Sequence, residues 1–406
     1  MKILHTSDWH LGKRLGDFSR MGEQQLVLDE INAVAEAEKV DVVIVAGDLF
    51  DTFNPPAEAV DLFYRSLKKL ANGGKRPVVA IAGNHDSPER IESPDPLARE
   101  CGIVFIGSPN SIVAPFKLDT GFEVLRSEEG FVEFKIPDFE APLRIVHTAY
   151  ANEFRLKTYL GSEDNEEQLR EILAHRWKRL SGNYCNNDGV NILLSHLFFV
   201  KDGADWPEEP EDEKPILHVG GAQAVFSSNI PTEMQYVALG HLHRKQTVDN
   251  EPCPVMYSGS PVSYSFAEAG QKKFVLLADI QPGEKAVLKE IELCSGKKLL
   301  RFKANGIEEA VIWLEANRDC LVELTVVSET YLTAADRKIL SNAHNGIVNI
   351  IPEVTTMPDS VKTARVDLTK TTEELFCDYF RYEKGQEPGE RLLGLFRELQ
   401  AQEDEI

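Results

Sequence analysis

A chain of 406 residues is too long for one compact core, and 42% hydrophobic with 27% charged residues is ordinary for folded protein, so two or three domains are expected. The longest apolar runs, near Val42–Ala46 and Val78–Ala82, have strand length, and Met1–Asp8 has no apolar leader, so a cytoplasmic protein is expected with no membrane contact. A net charge of −22, from 44 basic and 66 acidic residues, disfavours unaided long-range attraction to nucleic acid, and six scattered cysteines without a CxxC pair fit reduced thiols.

Five β-like runs each end in a polar cluster: Lys2–Thr6, Asp41–Ala46, Pro77–Ala82, Val190–Leu194 and Tyr236–Leu239. The first three are separated by amphipathic stretches. Residues 23–38 carry Leu26, Ile31 and Val34 near helical spacing, and residues 57–71 carry Val60, Phe63, Leu67 and Leu70. This alternation predicts an α/β layered core with ligands gathered past the strand ends. Phe131–Ile136 alternates apolar and charged, which predicts hairpins flanking that core. Residues 161–180 read as a polar helix, and the acidic, proline-containing stretch 203–215 as a surface loop. The composition changes around Ala278–Gly283, and a β-α-β-α-β unit is expected over Ala286–Leu293, Ile307–Asn317, Leu321–Val327, Thr333–Ala343 and Val348–Pro352, with Thr333 and Asp336 as a capping box. Two helix-like segments follow, Thr372–Arg381 and Glu390–Glu403. The domains are thus expected at 1–280, 281–358 and 359–406.

The five strand ends carry, in order, Asp8-x-His10, Gly47-Asp48, Gly83-Asn84-His85, Ser195-His196 and Gly240-His241-Leu242-His243. Each alone has a plainer reading. Asp-x-His fits any polar loop, Gly47-Asp48 fits a turn, Asn84 fits an Asx-turn, and a lone His196 fits a structural histidine. The ordered conjunction is what chance does not supply. Carboxylates mixed with imidazoles suit Mn²⁺, Fe²⁺ or Zn²⁺ rather than Ca²⁺. Seven donors are too many for one transition metal and suit two cations sharing a carboxylate, about 3.5–4 Å apart, which activate water for attack on phosphorus. No GxxxxGK[ST] is present, and Gly73-Gly74-Lys75-Arg76 lacks its spacing, so an ATPase is not expected.

This ordered set resembles that of the calcineurin-like metallophosphoesterases. Ser7-Asp8-Trp9-His10-Leu11-Gly12, Gly47-Asp48-Leu49-Phe50-Asp51 and Gly83-Asn84-His85-Asp86 sharpen the resemblance to the DNA break-repair nucleases, over nearly the whole chain. The resemblance implies an α/β fold, a four-layer β-sandwich core flanked by helices, with a small α/β capping domain for DNA recognition and a helical tail. It implies two divalent ions, Mn²⁺ foremost, with Asp8, His10 and His243 on one, Asn84, His196 and His241 on the other, and Asp48 bridging. His85 would help the leaving group, with the Asp51 carboxylate orienting it. By its position alone Asp51 reads equally as a helix N-cap. The implied activity is hydrolysis of DNA phosphodiesters, exonucleolytic on duplex ends and endonucleolytic on hairpin or single-stranded DNA, within an ATP-regulated complex.

The implied partners are DNA, a second copy of the chain, and an SMC-like ATPase bound through residues 369–403. Apolar stripes on Ala57–Ala71 and Pro88–Cys101 suit pairing of two copies or simple coverage of the sheet. Leu375, Phe376, Tyr379 and Phe380, with Leu392, Leu393, Leu395, Phe396 and Leu399, suit a partner groove or the chain's own capping domain. The alternatives are a small-substrate phosphatase or cyclic-nucleotide phosphodiesterase with the same metal core, and a silent scaffold, which metal content would distinguish. The acidic balance is reconciled with DNA by bound cations, by a local basic face or, foremost, by a partner. His147, at the end of Leu143–Val146, is expected near the site; His5, His175, His218 and His344 are expected to be structural or exposed.

Overall fold

The computed structural model describes residues 1–156, 165–204, 224–355 and 372–384, with a few positions beyond. Two sheets form the centre. The first has six strands in the order Val287–Leu293, Lys273–Asp279, Lys2–Thr6, Val42–Ala46, Val78–Ile81 and Ile103–Ile106. Its last four are parallel, and Lys273–Asp279 runs antiparallel to Lys2–Thr6. The second has seven, in the order Gln246–Asp249, Val255–Tyr257, Tyr236–Gly240, Val190–His196, Leu143–Thr148, Phe131–Lys135 and Glu123–Glu128.

The apolar runs are continuous because both faces of each central strand are buried. Val42, Ile44 and Ala46 meet Ile192, Leu194 and Ala238 between the sheets. Val43 and Val45 face the helices Met21–Ala37 and Ala57–Ala71 through Ile31, Phe63 and Leu67. On the far side the helix Asn165–Tyr184 covers the second sheet with Leu169, Leu173, Trp177 and Leu180, one helical stripe. The result is four layers, helix, sheet, sheet, helix. Leu26, placed on the buried stripe by periodicity, is 58% exposed; Leu28 is buried there instead.

Three expectations differ in detail. The alternating segment at residue 131 does form a hairpin, but as the edge of the second sheet rather than a flank. Ala286–Leu293 does not open the small unit. Pro282 and Gly283 turn the chain back, Gly283 with φ 76°, so that Val287–Leu293 pairs with Lys273–Asp279 at the edge of the first sheet. The composition change at Ala278–Gly283 is thus a hairpin turn, and the small three-stranded sheet starts at Lys298–Asn305, continuing with Cys320–Ser328 and Ile347–Val354. Stretch 203–215 and the segment Glu390–Glu403 fall almost wholly outside the described residues.

Contacts divide the chain into two compact units: Met1–Phe302 with Asn317–Leu324 and Asn345–Asn349, and Lys303–Ala316 with Thr325–His344 and the described part of Ile350–Ile406. In the second, the helix Ala334–Ala343 starts at Thr333, whose Oγ1 accepts from Asp336 N at 3.2 Å while Asp336 Oδ2 accepts from Thr333 N at 2.9 Å. The helix Thr372–Lys384 carries Phe376, stacked on Phe396 at 4.2 Å.

Candidate metal centre

At the ends of the parallel strands the chain leaves extended geometry abruptly. Asp8, His10, Asp48 and His241 have φ of 53°, 41°, 49° and 108°, a region that costs most side chains energy. Asp8 and His10 share a side through this curled loop, not through the pleat of a strand, since Lys2–Thr6 has already ended. The loops zip together beyond the sheet: Asp8 N donates to Gly47 O and His10 N to Asp48 O, both at 2.9 Å. Two glycines permit the approach. A Cβ on Gly240 would lie 1.9 Å from Ala46 O, and one on Gly83 would lie 2.1 Å from Asp48 Oδ1.

The first sheet delivers Asp8, His10, Asp48 and Asn84; the second delivers His196, His241 and His243. Two clusters result, Asp8 with His10 and His243, and Asp48 with His196 and His241, and a third grouping joins His10 to Asp51 and His85; in each the donor atoms lie within 4.8 Å of one another. Asp48 Oδ2 stands between the two clusters, 3.5 Å from His10 Nε2 and 3.3 Å from His196 Nε2. Asn84 Oδ1 is 3.0 Å from His196 Nε2 and 3.1 Å from His241 Nδ1.

The donor chemistry fits divalent cations. His10 Nε2 and His243 Nε2 face each other at 3.0 Å, a spacing that holds either one shared proton or a cation between the two nitrogens. His196 Nδ1 donates to Ala46 O at 2.7 Å, so its Nε2 lone pair points into the cluster. With only protons available, His196 takes one: burial pushes its pKa down, but Asp48, Asp8 and the Ala46 carbonyl together outweigh burial and hold it up at about 9. Burial holds His10 down at about 4 and His241 down at about 3. Asp48 stays well below the carboxylate range because His196, His10 and His85 outweigh its burial.

A surrounding shell fixes these groups. Ser7 Oγ donates to Asp8 Oδ2 at 2.5 Å, and His241 N donates to Asp8 Oδ1 at 2.9 Å. Asp86, fully buried, accepts from Gly83 N, Leu49 N and Phe50 N at 2.8–3.0 Å. Arg155 donates to Gly83 O and Asp86 O, both at 2.8 Å, and so pins the loop that carries Asn84 and His85. Gln24 donates to His10 O at 2.8 Å. None of Asp86, Arg155, Gln24 or Glu268, which faces His243, was singled out from sequence. Only Asp86, within a motif, offered a signal.

His85 lies beside the cluster, its ring centroid 4.8 Å from that of His10. Its amide donates to Asp48 Oδ1 at 2.9 Å, and its Nδ1 donates to the backbone carbonyl of Asp51 at 2.8 Å. The hydrogen bond of His85 Nδ1 is thus made to the Asp51 carbonyl, while the carboxylate expected from the resemblance lies within 4.8 Å of the His85 and His10 donor atoms. That carboxylate pairs with Lys13 at 2.9 Å and with His10 Nδ1 at 3.6 Å. His147 belongs to neither cluster; it is fully buried, with both ring nitrogens lacking a partner among the described residues. His5 is structural, bridging the sheets to Tyr236 Oη and Leu239 O.

A family model described as calcineurin-like phosphoesterase matches residues 1–245, and the chain belongs to that family. Over 406 residues it is 37% identical to SbcD, a component of the nuclease SbcCD, from Bacillus subtilis (strain 168), covering 98% of this chain and 97% of that one. It is 33% identical over 308 residues to the SbcD component of the same nuclease from Rhodobacter capsulatus, covering 75% of this chain and 72% of that one. Solved structures are more distant. TT1561 of Thermus thermophilus has a TM-score of 0.37 at 13% identity, covering 71% of this chain and 98% of that one. A dimetal phosphatase from Danio rerio has 0.38 at 13% identity, covering 73% and 99%.

Proposed function

We propose that this chain is the nuclease subunit of an SbcCD-type complex. It hydrolyses DNA phosphodiesters, as an exonuclease on duplex ends and an endonuclease on hairpin or single-stranded DNA, in recombination, replication and repair. The convergence of seven donors around Asp48 Oδ2 carries the chemistry. Likeness to a nuclease component over 98% of the chain supports the substrate class.

In this reading Asp8, His10 and His243 would hold one cation, Asn84, His196 and His241 the other, and Asp48 would serve both. Mn²⁺ suits this mixture of carboxylate, amide and imidazole donors. Two such cations, when bound, lower the pKa of a water and neutralise phosphate charge. The chain's own residues do the rest. Asp8 and Asp48 are fixed by Ser7 and by the amides of His241 and His85, so their remaining lone pairs stay directed inward. His85, held at Nδ1 by the Asp51 carbonyl, would pass a proton from Nε2 to the departing oxygen as the imidazolium and be left as the neutral Nδ1–H imidazole.

The assembly we propose is a homodimer through Ala57–Ala71 and Pro88–Cys101, bound to an SbcC-type SMC-like ATPase through residues 369–403, in the cytoplasm. The apolar stripe of Ala57–Ala71 itself covers the first sheet, with Phe63, Leu67 and Leu70 buried, so the support for an apolar contact comes from Leu97, 78% exposed within the second stretch, and Phe53, 53% exposed just before the first. The small sheet of Lys298–Asn305, Cys320–Ser328 and Ile347–Val354, with the helices between its strands, would serve as the DNA-recognition cap expected at 281–358. Mn²⁺-dependent digestion of end-labelled linear duplex and hairpin DNA tests the activity, beside p-nitrophenyl phosphate. Cleavage of both DNAs is expected; hydrolysis of the small ester alone would leave a phosphatase.

A further inference from the structure

The two clusters are not backed alike. Behind His196 stands a neutral carbonyl, that of Ala46, and His241 Nε2 has no partner among the described residues. In the other cluster a carboxylate backs His243, whose Nδ1 lies 3.4 Å from Glu268 Oε1, while His10 Nδ1 has only a longer ionic approach from Asp51 Oδ1 at 3.6 Å and no hydrogen-bond partner among the described residues. Glu268 comes from a separate part of the chain and is 3% exposed. Its Oε1 also accepts from Tyr264 N at 2.9 Å and Ser265 N at 3.3 Å. Its Oε2 meets the Lys273 ammonium. Lys273 Nζ spends its other hydrogens on His243 O at 3.1 Å and Ser260 Oγ at 3.0 Å, and Ser260 N donates to the same His243 carbonyl at 3.1 Å. One buried ion pair therefore holds His243 at both ring and backbone.

We infer that Glu268 and Lys273 are a positioning pair for His243 that selectively strengthens the cation position formed by Asp8, His10 and His243. This rests on the two-cation reading above. A carboxylate accepting the Nδ1 hydrogen leaves the lone pair on Nε2, where it faces His10 Nε2, and makes the imidazole a stronger donor; such backing typically changes metal affinity by about 10–100-fold. Lys273 holds Glu268 in place, and its bond to the His243 carbonyl limits movement of the ring toward solvent. The pair bonds to neither His196 nor His241, so the two positions are inequivalent by construction.

The test uses the full chain, stripped of metal and titrated with Mn²⁺, read by equilibrium dialysis with mass spectrometry and by electron paramagnetic resonance. The wild type should hold two ions with the signal of an exchange-coupled pair. Glu268→Gln keeps an acceptor but loses the charge. It should hold one ion tightly and the second about 10–100-fold more weakly, with the coupled signal replaced by that of isolated Mn²⁺ at limiting metal. Melting of the metal-free variant checks that it is folded. Should the unpaired lysine prevent folding, Glu268→Gln with Lys273→Met removes both charges and reads the same quantity. Glu268→Asp should recover part of the second affinity, which a merely structural role would not predict. A folded variant that binds both ions as the wild type does, or that weakens both equally, overturns the inference. A wild type that binds fewer than two ions overturns the two-cation reading itself.

Discussion

One hydrogen bond, from the His85 amide to Asp48 Oδ1 at 2.9 Å, joins two residues whose proposed roles separate cleanly. Asp48→Ala should empty the metal positions and abolish activity together. His85→Gln should leave both ions bound and lower kcat by about 10²–10⁴-fold, with little change in DNA affinity. Metal analysis beside nuclease rates checks both; loss of an ion from His85→Gln would make it a ligand. A second residue-scale prediction concerns His147, which burial pushes down to about 3 from an ordinary value of 6.5. A histidine with a depressed folded pKa is neutral when folded and charged when unfolded between those values, so stability falls as pH falls through 6.5 toward 3. His147→Leu should reduce the stability lost between pH 7.5 and pH 5 by about 2 kcal/mol. Urea titrations in chelator, which removes metal effects, measure this; an unchanged acid loss would mean that His147 is protonated in the fold. The donors in the five motifs were legible because each follows an apolar run. Glu268 and Arg155 were not, since their roles depend on contacts across the tertiary fold. Nor could sequence say that Asp51 would meet His85 through its carbonyl, because that choice is made by loop geometry.

At the scale of elements, the strand ends are held by close backbone approach more than by side-chain bulk. Gly240→Ala would set a methyl 1.9 Å from the Ala46 carbonyl, in the loop that carries His241 and His243. We expect it to cost about 2–4 kcal/mol of stability and to weaken metal binding, whereas Gly182→Ala, with nothing within 4 Å, should do neither. Thermal melts with and without Mn²⁺ distinguish them. The central strands were readable from their apolar runs, since burial on both faces leaves no alternation to mislead. The edge was not. Val287–Leu293 mixes apolar and charged residues, a composition that suits the edge of a large sheet and the start of a small one equally. Its ownership is decided by the turn at Pro282 and Gly283.

For the whole molecule, a charge of −22 makes unaided DNA capture weak, so a partner should supply much of the DNA contact. On the helix Thr372–Lys384, Tyr379 is 63% exposed, which supports a docking role for the tail. Deleting the residues after Val366 should abolish co-purification with the ATPase while leaving the Mn²⁺-dependent nuclease activity of the isolated chain. Retained co-purification would assign the tail to the chain's own cap.

The seam between the sheets has a mechanical consequence. His10 and His243 are 233 residues apart in sequence, and Asn84 and His196 are 112 apart. Ions bound there would act as removable cross-links, closing two very long loops much as disulfides do, but reversibly and under the control of free metal. Saturating Mn²⁺ at a hundred times its dissociation constant should add about 2.7 kcal/mol per site. The gain should not spread evenly. Amide protons at the tips of the parallel strands, around Thr6, Ala46, Ile81 and Leu239, should exchange with solvent faster in chelator, while those of Ala278 and Asp279, at the opposite rim beside Ile3 and Lys2, should change little. Uniform slowing by Mn²⁺ across both sheets would mean that the ions tighten the whole sandwich rather than rivet one rim.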